Sequence, residues 1–395
     1  MTPRDMKCDK DALAMHRTTK NSFGEEKRPT RPIATLATAL AILCTCSQAH
    51  AQSSVTLYGS IVDGIVWANN VGGSHLVKLA SGGHWSNNWG ITGTEDLGGG
   101  LKAFFNLNNT YNFNTGQSYG TNEMWGGSAY VGLSSTTLGK FTMGQQYDYS
   151  VDFVQYSAPA SGTLFAFHPG AFDRVPGVAL ANTVSYESPR LAGLRARGMY
   201  SFGSATSPTN TRRSYSAALD FKEGNFRAEA FTTSVGGTSI APGTGAGMAN
   251  FLNRSLTANP AQSIALRSTD IYGVAAAYDW DKFTFRSNFT RIYFTDASAA
   301  QNKQTVSNAE GAIQYKIQPD LYVNGGYTYS WTNGVHWNQV NLATDYFLSK
   351  RTDIMLATNF QRVSGPPGQV ANMFTIGNSS SQSQLLFYAG IRHFF

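Results

Sequence analysis

Two sets of charged side chains could do chemistry in this 395-residue chain. Asp148, Asp152 and Asp173 fall in one long connecting segment, about 148–180, which Pro159, Pro169 and Pro176 stiffen. Lys102, Arg195, Arg197 and Arg286 fall on the polar face of segments in which apolar and polar residues alternate. Acids on one side of a water-filled gap and bases on the other make a transverse field, and fixed charge at close quarters sorts ions. The Debye length is about 8 Å at physiological salt, so such a field spans only a narrow gap. The plainer reading of each charge is a solvated side chain, and for Asp173 beside Arg174 a local pair.

Other chemistry is poorly supplied. Hydrolysis needs a nucleophile and a base within reach of one another. Five histidines follow residue 52, namely His75, His84, His168, His336 and His393, and none sits in a nucleophile motif. His75 and His84 have no cysteine or acidic cluster to complete a metal site. The run GTEDLGGGLK is glycine-rich but lacks phosphate-loop spacing, and it reads as a turn. No catalytic, cofactor-binding or metal-binding residue is assigned, and no cofactor is expected.

The elements that must position the charges are strands. Charged residues make up 14% of the chain and aromatics 13%, with 40 glycines. That excludes a disordered chain, and the mature part has no run of about 20 apolar residues for a spanning helix. Period-two alternation recurs instead. FRAEAFTTSV sets Phe226, Ala228 and Ala230 against Arg227 and Glu229; KFTFRSNFT sets Phe283, Phe285 and Phe289 against Thr284, Arg286 and Asn288. Sixteen such segments are predicted, near 54–67, 84–93, 101–113, 123–134, 137–147, 181–188, 193–202, 213–221, 225–235, 269–279, 282–294, 305–316, 320–332, 337–347, 351–361 and 383–395. Short turns such as 96–100, 222–224, 279–281 and 318–320 alternate with long loops near 68–83, 148–180, 236–268 and 362–382.

This is the layout of an all-β, antiparallel, up-and-down transmembrane barrel with short periplasmic turns and long extracellular loops. In hydrocarbon an open sheet edge leaves backbone groups unpaired, so the sheet must close, and an even count lets 54–67 pair with 383–395. The last strand then turns Leu385, Phe387, Ala389, Ile391, His393 and Phe395 toward lipid. A soluble sandwich would need two packed inner faces, whereas these polar faces carry Arg, Glu and Asn and require water in a lumen. Trp67, Tyr111, Phe113, Trp125, Trp331, Tyr346 and Phe347 lie near strand ends, as interfacial girdles do. The apolar stretch TLFAFHPGAF in the 148–180 loop is explained by packing against the inner wall.

The only long apolar run lies at the front. Arg28 and Arg31 flank Ile33–Leu43, and Ala49-His50-Ala51 is a small-residue cleavage pattern. Residues 1–51 are expected to be an N-terminal extension plus a removed secretory signal peptide, with Met6 or Met15 as alternative starts, and residues 52–395 the barrel. A lipoprotein reading through Cys44 or Cys46 is weaker because Leu43 is not small. Cys8, Cys44 and Cys46 all lie in the leader, which leaves no disulfide framework. The leader also carries eight of 30 Lys/Arg and five of 24 Asp/Glu, leaving 22 against 19, net +3. That balance gives no argument for nucleic acid.

The runs SSVTLYGSIVDGIVW, WGITGTEDLGGGLKAFF, AYVGLSS, GQQYD, TVSYESP, LSKRTD and the ending GIRHFF occur in order from Ser53 to Phe395. Together they resemble the general porins of beta-proteobacteria, Gram-negative outer-membrane proteins. The resemblance implies a homotrimeric sixteen-stranded channel in the outer-membrane bilayer that passes small hydrophilic solutes and ions by diffusion. It implies that the third loop folds into the lumen as a constriction. It also implies that Phe395 is the signal read by the barrel-assembly machinery. The acids Asp148, Asp152 and Asp173 then belong to the loop side and Lys102, Arg195, Arg197 and Arg286 to the wall side. Where the family has cations, this chain has Asn88, Gly127, Gln145 and Ser185, with Thr92 and Asn108 also neutral. Weak ion selectivity, less anion-preferring than the family's, is the expectation. A substrate-specific channel, or a non-conducting barrel serving as adhesin or structural protein with 236–268 as a surface loop, are the alternatives.

Overall fold

The computed structural model describes residues 54–119, 123–203 and 212–395. The expected leader, residues 1–51, lies outside the described residues.

Sixteen antiparallel strands form the wall. They are β1 Ser54–Val71, β2 Asn88–Gly98, β3 Leu101–Thr110, β4 Ser128–Ser135, β5 Gly139–Tyr147, β6 Ala179–Glu187, β7 Leu194–Ser201 and β8 Ser214–Glu223. They continue as β9 Phe226–Gly236, β10 Ile264–Trp280, β11 Phe283–Asp296, β12 Lys303–Gln318, β13 Leu321–Thr332, β14 Val335–Phe347, β15 Thr352–Ser364 and β16 Ser383–Phe394. Each pairs with its sequence neighbour, and β1 closes on β16 from Ser60↔Phe394 to Ala68↔Leu386. Each of the sixteen described strands thus has a neighbour on both sides, as a sheet in hydrocarbon requires. The final residue completes the closure: the Phe395 N–H donates to Gly59 O at 3.1 Å, and the Gly59 N–H to Phe395 O at 3.3 Å.

Alternation is realised as two faces. Val55, Leu57, Ile65, Phe387 and Ile391 are exposed on the outside, while Ser60, Val62, Val66, Leu386 and Tyr388 are buried on the inside. Aromatics gather in clusters on the outer face, with Trp67 at 5.7 Å from Phe387, Phe283 at 4.6 Å from Tyr315 and Tyr329 at 5.3 Å from Trp331. Their amphipathic rings suit the headgroup level of a membrane.

One expected loop is corrected and another is placed. Residues 68–83 are not a loop: β1 runs on to Val71, turns at Gly72-Gly73, both at positive φ, and returns as a short strand, Ser74–Leu79, paired with Ile65–Val71. The chain then leaves the wall at 80–87, so the strand expected to start at 84 starts at Asn88. The Asn87 side chain stands in for the absent backbone partner. It accepts from the Val62 N–H at 2.5 Å and donates to Val62 O at 2.9 Å. Gly83 is required at the tip of this inset, because a Cβ there would lie 2.3 Å from the Tyr388 ring.

The 236–268 segment is a long loop as expected, exposed at 257–261 but buried through its middle. Ala246, Met248, Ala249, Phe251, Leu252 and Leu256 are buried. They pack with the 365–382 loop, whose Val370 N–H donates to Gly247 O at 3.1 Å and whose Asn372 side chain donates to Thr244 O at 2.8 Å. Phe251 meets the inward Phe294 of β11 at 5.1 Å. An apolar cluster therefore fills the lumen beside β9–β15 toward the loop end.

The lumen and its constriction as candidate functional site

The loop between β5 and β6 folds into the barrel and crosses it in short 3-10 turns at Tyr149–Tyr156, Ala158–Ser161, Leu164–Ala166 and Pro169–Ala171. Its aromatic residues drive this. Phe153 packs edge-on to Phe231 of β9 at 4.4 Å, Phe165 meets Tyr388 of β16 at 5.6 Å, and Phe172 meets Phe294 of β11 at 5.5 Å. Burying each ring stabilises the inward fold by about 1.5–3 kcal/mol. Polar pins fix the register. The Ala158 N–H donates to Glu310 of β12, Thr163 Oγ1 to Asn359 Oδ1 at 3.0 Å, and the Leu164 N–H to Gly83 O of the inset at 3.0 Å.

His168 is the central pin. Its Nδ1 contacts Asp173 of the same loop and its Nε2 contacts Glu310 Oε2 at 3.0 Å. Burial alone would lower its pKa, but the two carboxylates outweigh burial and push it up to about 10. Burial likewise opposes the charged form of Asp173, yet the imidazolium and the Thr290 hydroxyl (2.9 Å) hold its carboxyl below the usual range. A second histidine pins the inset: His84, buried, bonds Tyr388 Oη at 3.0 Å and Asp353 Oδ2 at 3.3 Å. There burial wins over Asp353, and the His84 pKa is lowered.

The space left open lies to one side. A cavity of about 1280 Å³ runs between the inner loop and the wall of β1–β7, and a second of about 510 Å³ adjoins it near the turn end of β7–β11. The two share Trp85, Asp152, Val154 and Arg197.

The expected charges are distributed unevenly over these spaces. Asp148 lines the large cavity but is buried and bound to Arg174 at 2.7 Å. Arg174 is thus paired with Asp148, not with Asp173. Asp173 does not line either cavity; it sits behind the loop on His168. Asp152 does face the cavity, paired with Arg197, which also holds Glu229 at 2.7 Å and stacks on Tyr149 at 4.6 Å. Arg195 spans Asp220 at 2.9 Å and Glu187 at 3.2 Å. Arg286 donates to Gln155 O at 3.2 Å and Gln314 Oε1 at 2.9 Å. Lys102 is inward by alternation but sits one residue from the Gly98–Leu101 turn, exposed and outside both linings. Lys140 stands in the place expected of Lys102, lining the large cavity 3.3 Å from Glu187.

Among the neutral positions, Asn88, Asn108 and Ser185 line the large cavity. Gln145 does not. It shares the outward parity of the exposed Phe141 and Met143, opposite Ala129, and its amide donates to Glu123, Trp125 O and Gly126 O. Sequence reading missed Lys140, Glu187, Asp220, Glu229 and Glu310. Each lies on the polar face of its strand, so alternation could have found them, but nothing in the sequence ranked them above other inward residues.

With this geometry the comparisons agree. Residues 36–366 match the family model described as Gram-negative porin. An outer-membrane porin of Bordetella pertussis is 29% identical over 39% of this chain and 44% of its own length. Outer membrane porin protein 32 of Delftia acidovorans is 32% identical over 42% and 48%. The aligned stretch thus spans about half the length of these curated relatives. Among solved structures, the anion-selective porin from Comamonas acidovorans superposes with TM-score 0.69 at 20% identity, over 87% of this chain and 100% of that one. A trimer form of OmpT from Vibrio cholerae does so with TM-score 0.64 at 14% identity, over 87% and 99%. A closed sixteen-stranded wall, an apolar outside, a loop folded inward and a family match over most of the chain make it a member of the Gram-negative porin family, a β-barrel of the outer membrane.

Proposed function

We propose that the barrel is a water-filled channel through which small hydrophilic solutes and ions diffuse passively, with the inner loop as its constriction. The observation that carries the reading is the 1280 Å³ cavity beside that loop, polar on its barrel side, inside a ring whose outer face is apolar. Ion selectivity is weak, because the acids of the cavity lie against cations and its far wall is amide and hydroxyl. The protein assembles as a homotrimer, as the V. cholerae structural neighbour does, and Phe395 presents the closing strand to the assembly machinery. Residues 1–51 are removed on export.

Planar-bilayer recording of the refolded protein tests the channel: stepwise conductance, in groups of three for a trimer, is expected. The rival is a closed structural barrel, favoured by the apolar cluster that fills part of the lumen. Silence from a correctly folded, detergent-soluble barrel selects that rival. Mass spectrometry of the exported protein should give Gln52 as the first residue.

A further inference from the structure

The large cavity has two chemically different sides. On the inner-loop side Val151, Val154, Leu164 and Pro176 face it, with Phe374 and Trp85 beside them. On the barrel side stand Tyr58, Asn88, Asn106, Asn108, Ser128 and Tyr130. These amides and hydroxyls are tied into a fixed array. Tyr58 Oη donates to Asn106 Oδ1 at 2.7 Å, Asn108 Nδ2 to Tyr58 Oη at 3.1 Å, Asn106 Nδ2 to Ser128 Oγ at 2.8 Å and Asn88 Nδ2 to Ser60 Oγ at 2.8 Å. An amide has two N–H donors and two acceptor lone pairs, so each keeps capacity toward the lumen after these bonds.

The acids of the cavity do not compete with this array. Asp148 lies on Arg174, Asp152 on Arg197 and Glu187 on Lys140 and Arg195. Closely spaced opposite charges give a field that falls off faster than that of a lone ion, and salt screens it further. What remains for a solute is an apolar face on one side and preorganised hydrogen-bonding edges on the other. Such a surface gives little to an inorganic ion and much to a molecule that has both faces.

The geometry points to a binding site, within the channel proposed above and resting on that reading, for uncharged hydroxylated solutes that carry an apolar face, the class of saccharides and aryl glycosides. The ring's C–H or aromatic face lies on Leu164 and Val151, and its hydroxyls exchange water for Asn106, Asn108 and Tyr58. The paired charges sit to the side, and Lys78, which also lines the cavity, donates to Thr375 O at 3.3 Å.

The test is block of ionic current through the refolded full channel by phenyl β-D-glucoside, with benzoate and glycerol as the ring-only and hydroxyl-only controls. Saturable block by the glucoside, at a concentration at least about fivefold below either control, is expected from one added hydrogen bond. Asn106→Leu should raise the half-blocking concentration about fivefold, and Leu164→Ser severalfold, each with open conductance still present. Two variants on opposite sides guard against a single folding failure. Conductance steps with no saturable block, block by benzoate at lower concentration than the glucoside, or block unmoved in both variants overturns the site while leaving the channel intact. No steps at all removes the channel reading, and the site with it.

Discussion

Replacing His168 by Ala removes the cation between Asp173 and Glu310, both almost fully buried. Breaking a buried ion pair from one side costs about 3–5 kcal/mol, because the carboxylates stay behind uncompensated. The pKa gives the same scale: a rise from 6.5 to about 10 corresponds to about 5 kcal/mol of preference for the charged ring in the folded state. The aromatic anchors Phe153, Phe165 and Phe172 remain, so the loop stays inside but its middle loosens. Urea unfolding of the detergent-refolded protein should show the loss, and single-channel records should show added open-channel noise. Adding Asp173→Asn and Glu310→Gln to His168→Ala should recover most of the stability, since the stranded charge is then gone. The pH dependence has a definite sign. The folded His168 pKa lies above the unfolded one, so its contribution is complete below about 6.5 and is lost as pH rises through about 10. Asp173, held low, contributes above about 3.8 and is lost as pH falls below that. The pin is therefore strongest between about pH 4 and 6.5. A His168→Ala cost under about 1 kcal/mol, or wild-type stability that increases from pH 7 to 10, would refute the reasoning.

Asn88→Arg places a cation in the lining of the large cavity and should shift the reversal potential in a KCl gradient toward anions, whereas Gln145→Arg, outside that lining, should leave it unmoved. Arg197→Ala strands Asp152 and Glu229, so cation preference should rise in the same recording and stability should fall by about 3–5 kcal/mol in urea. Gly83→Ala drives a methyl into the Tyr388 ring and should cost about 1–3 kcal/mol, measured by thermal unfolding, while Gly311→Ala on β12, where no atom lies within 4 Å of the added methyl and φ is ordinary, should cost less.

The wall was legible because its physics is periodic. Alternation over eight or more residues located all sixteen strands, and the demand for closure paired β1 with β16. The failures lie where backbone pairing is replaced by a side chain. Nothing in the order of residues 80–87 says that Asn87 will take over a ladder bond from Val62, which lets the strand break and the segment turn inward. Gln145 is a different case: it shares the outward parity of the exposed Phe141 and Met143, so plain alternation separates it from the lumen where a family pattern does not. Long-range charge pairing was also beyond reach. Arg174 and Asp148 are 26 residues apart, and the adjacent Asp173 looked the better partner until the loop's path brought His168 to it.

One feature of the sequence does foretell where the lumen is wet. On β3 and β4 the inward positions are Asn106, Asn108, Ser128 and Tyr130, set against outward Phe105, Leu107, Ala129 and Val131. On β10, β11 and β14 the inward face itself turns apolar toward the loop end, with Ile271, Ile292, Phe294 and Trp337 all fully buried. A strand apolar on both faces cannot border water on either. Lipid covers the outer face of those strands, so the inner face must be covered by protein, and the only protein available is the loops. The run RIYFT in β11 therefore already requires that something pack against Ile292 and Phe294. Phe172 and Phe251 do so, from two different loops. The open path is off-centre for that reason: its position is set by which strands keep polar residues inside.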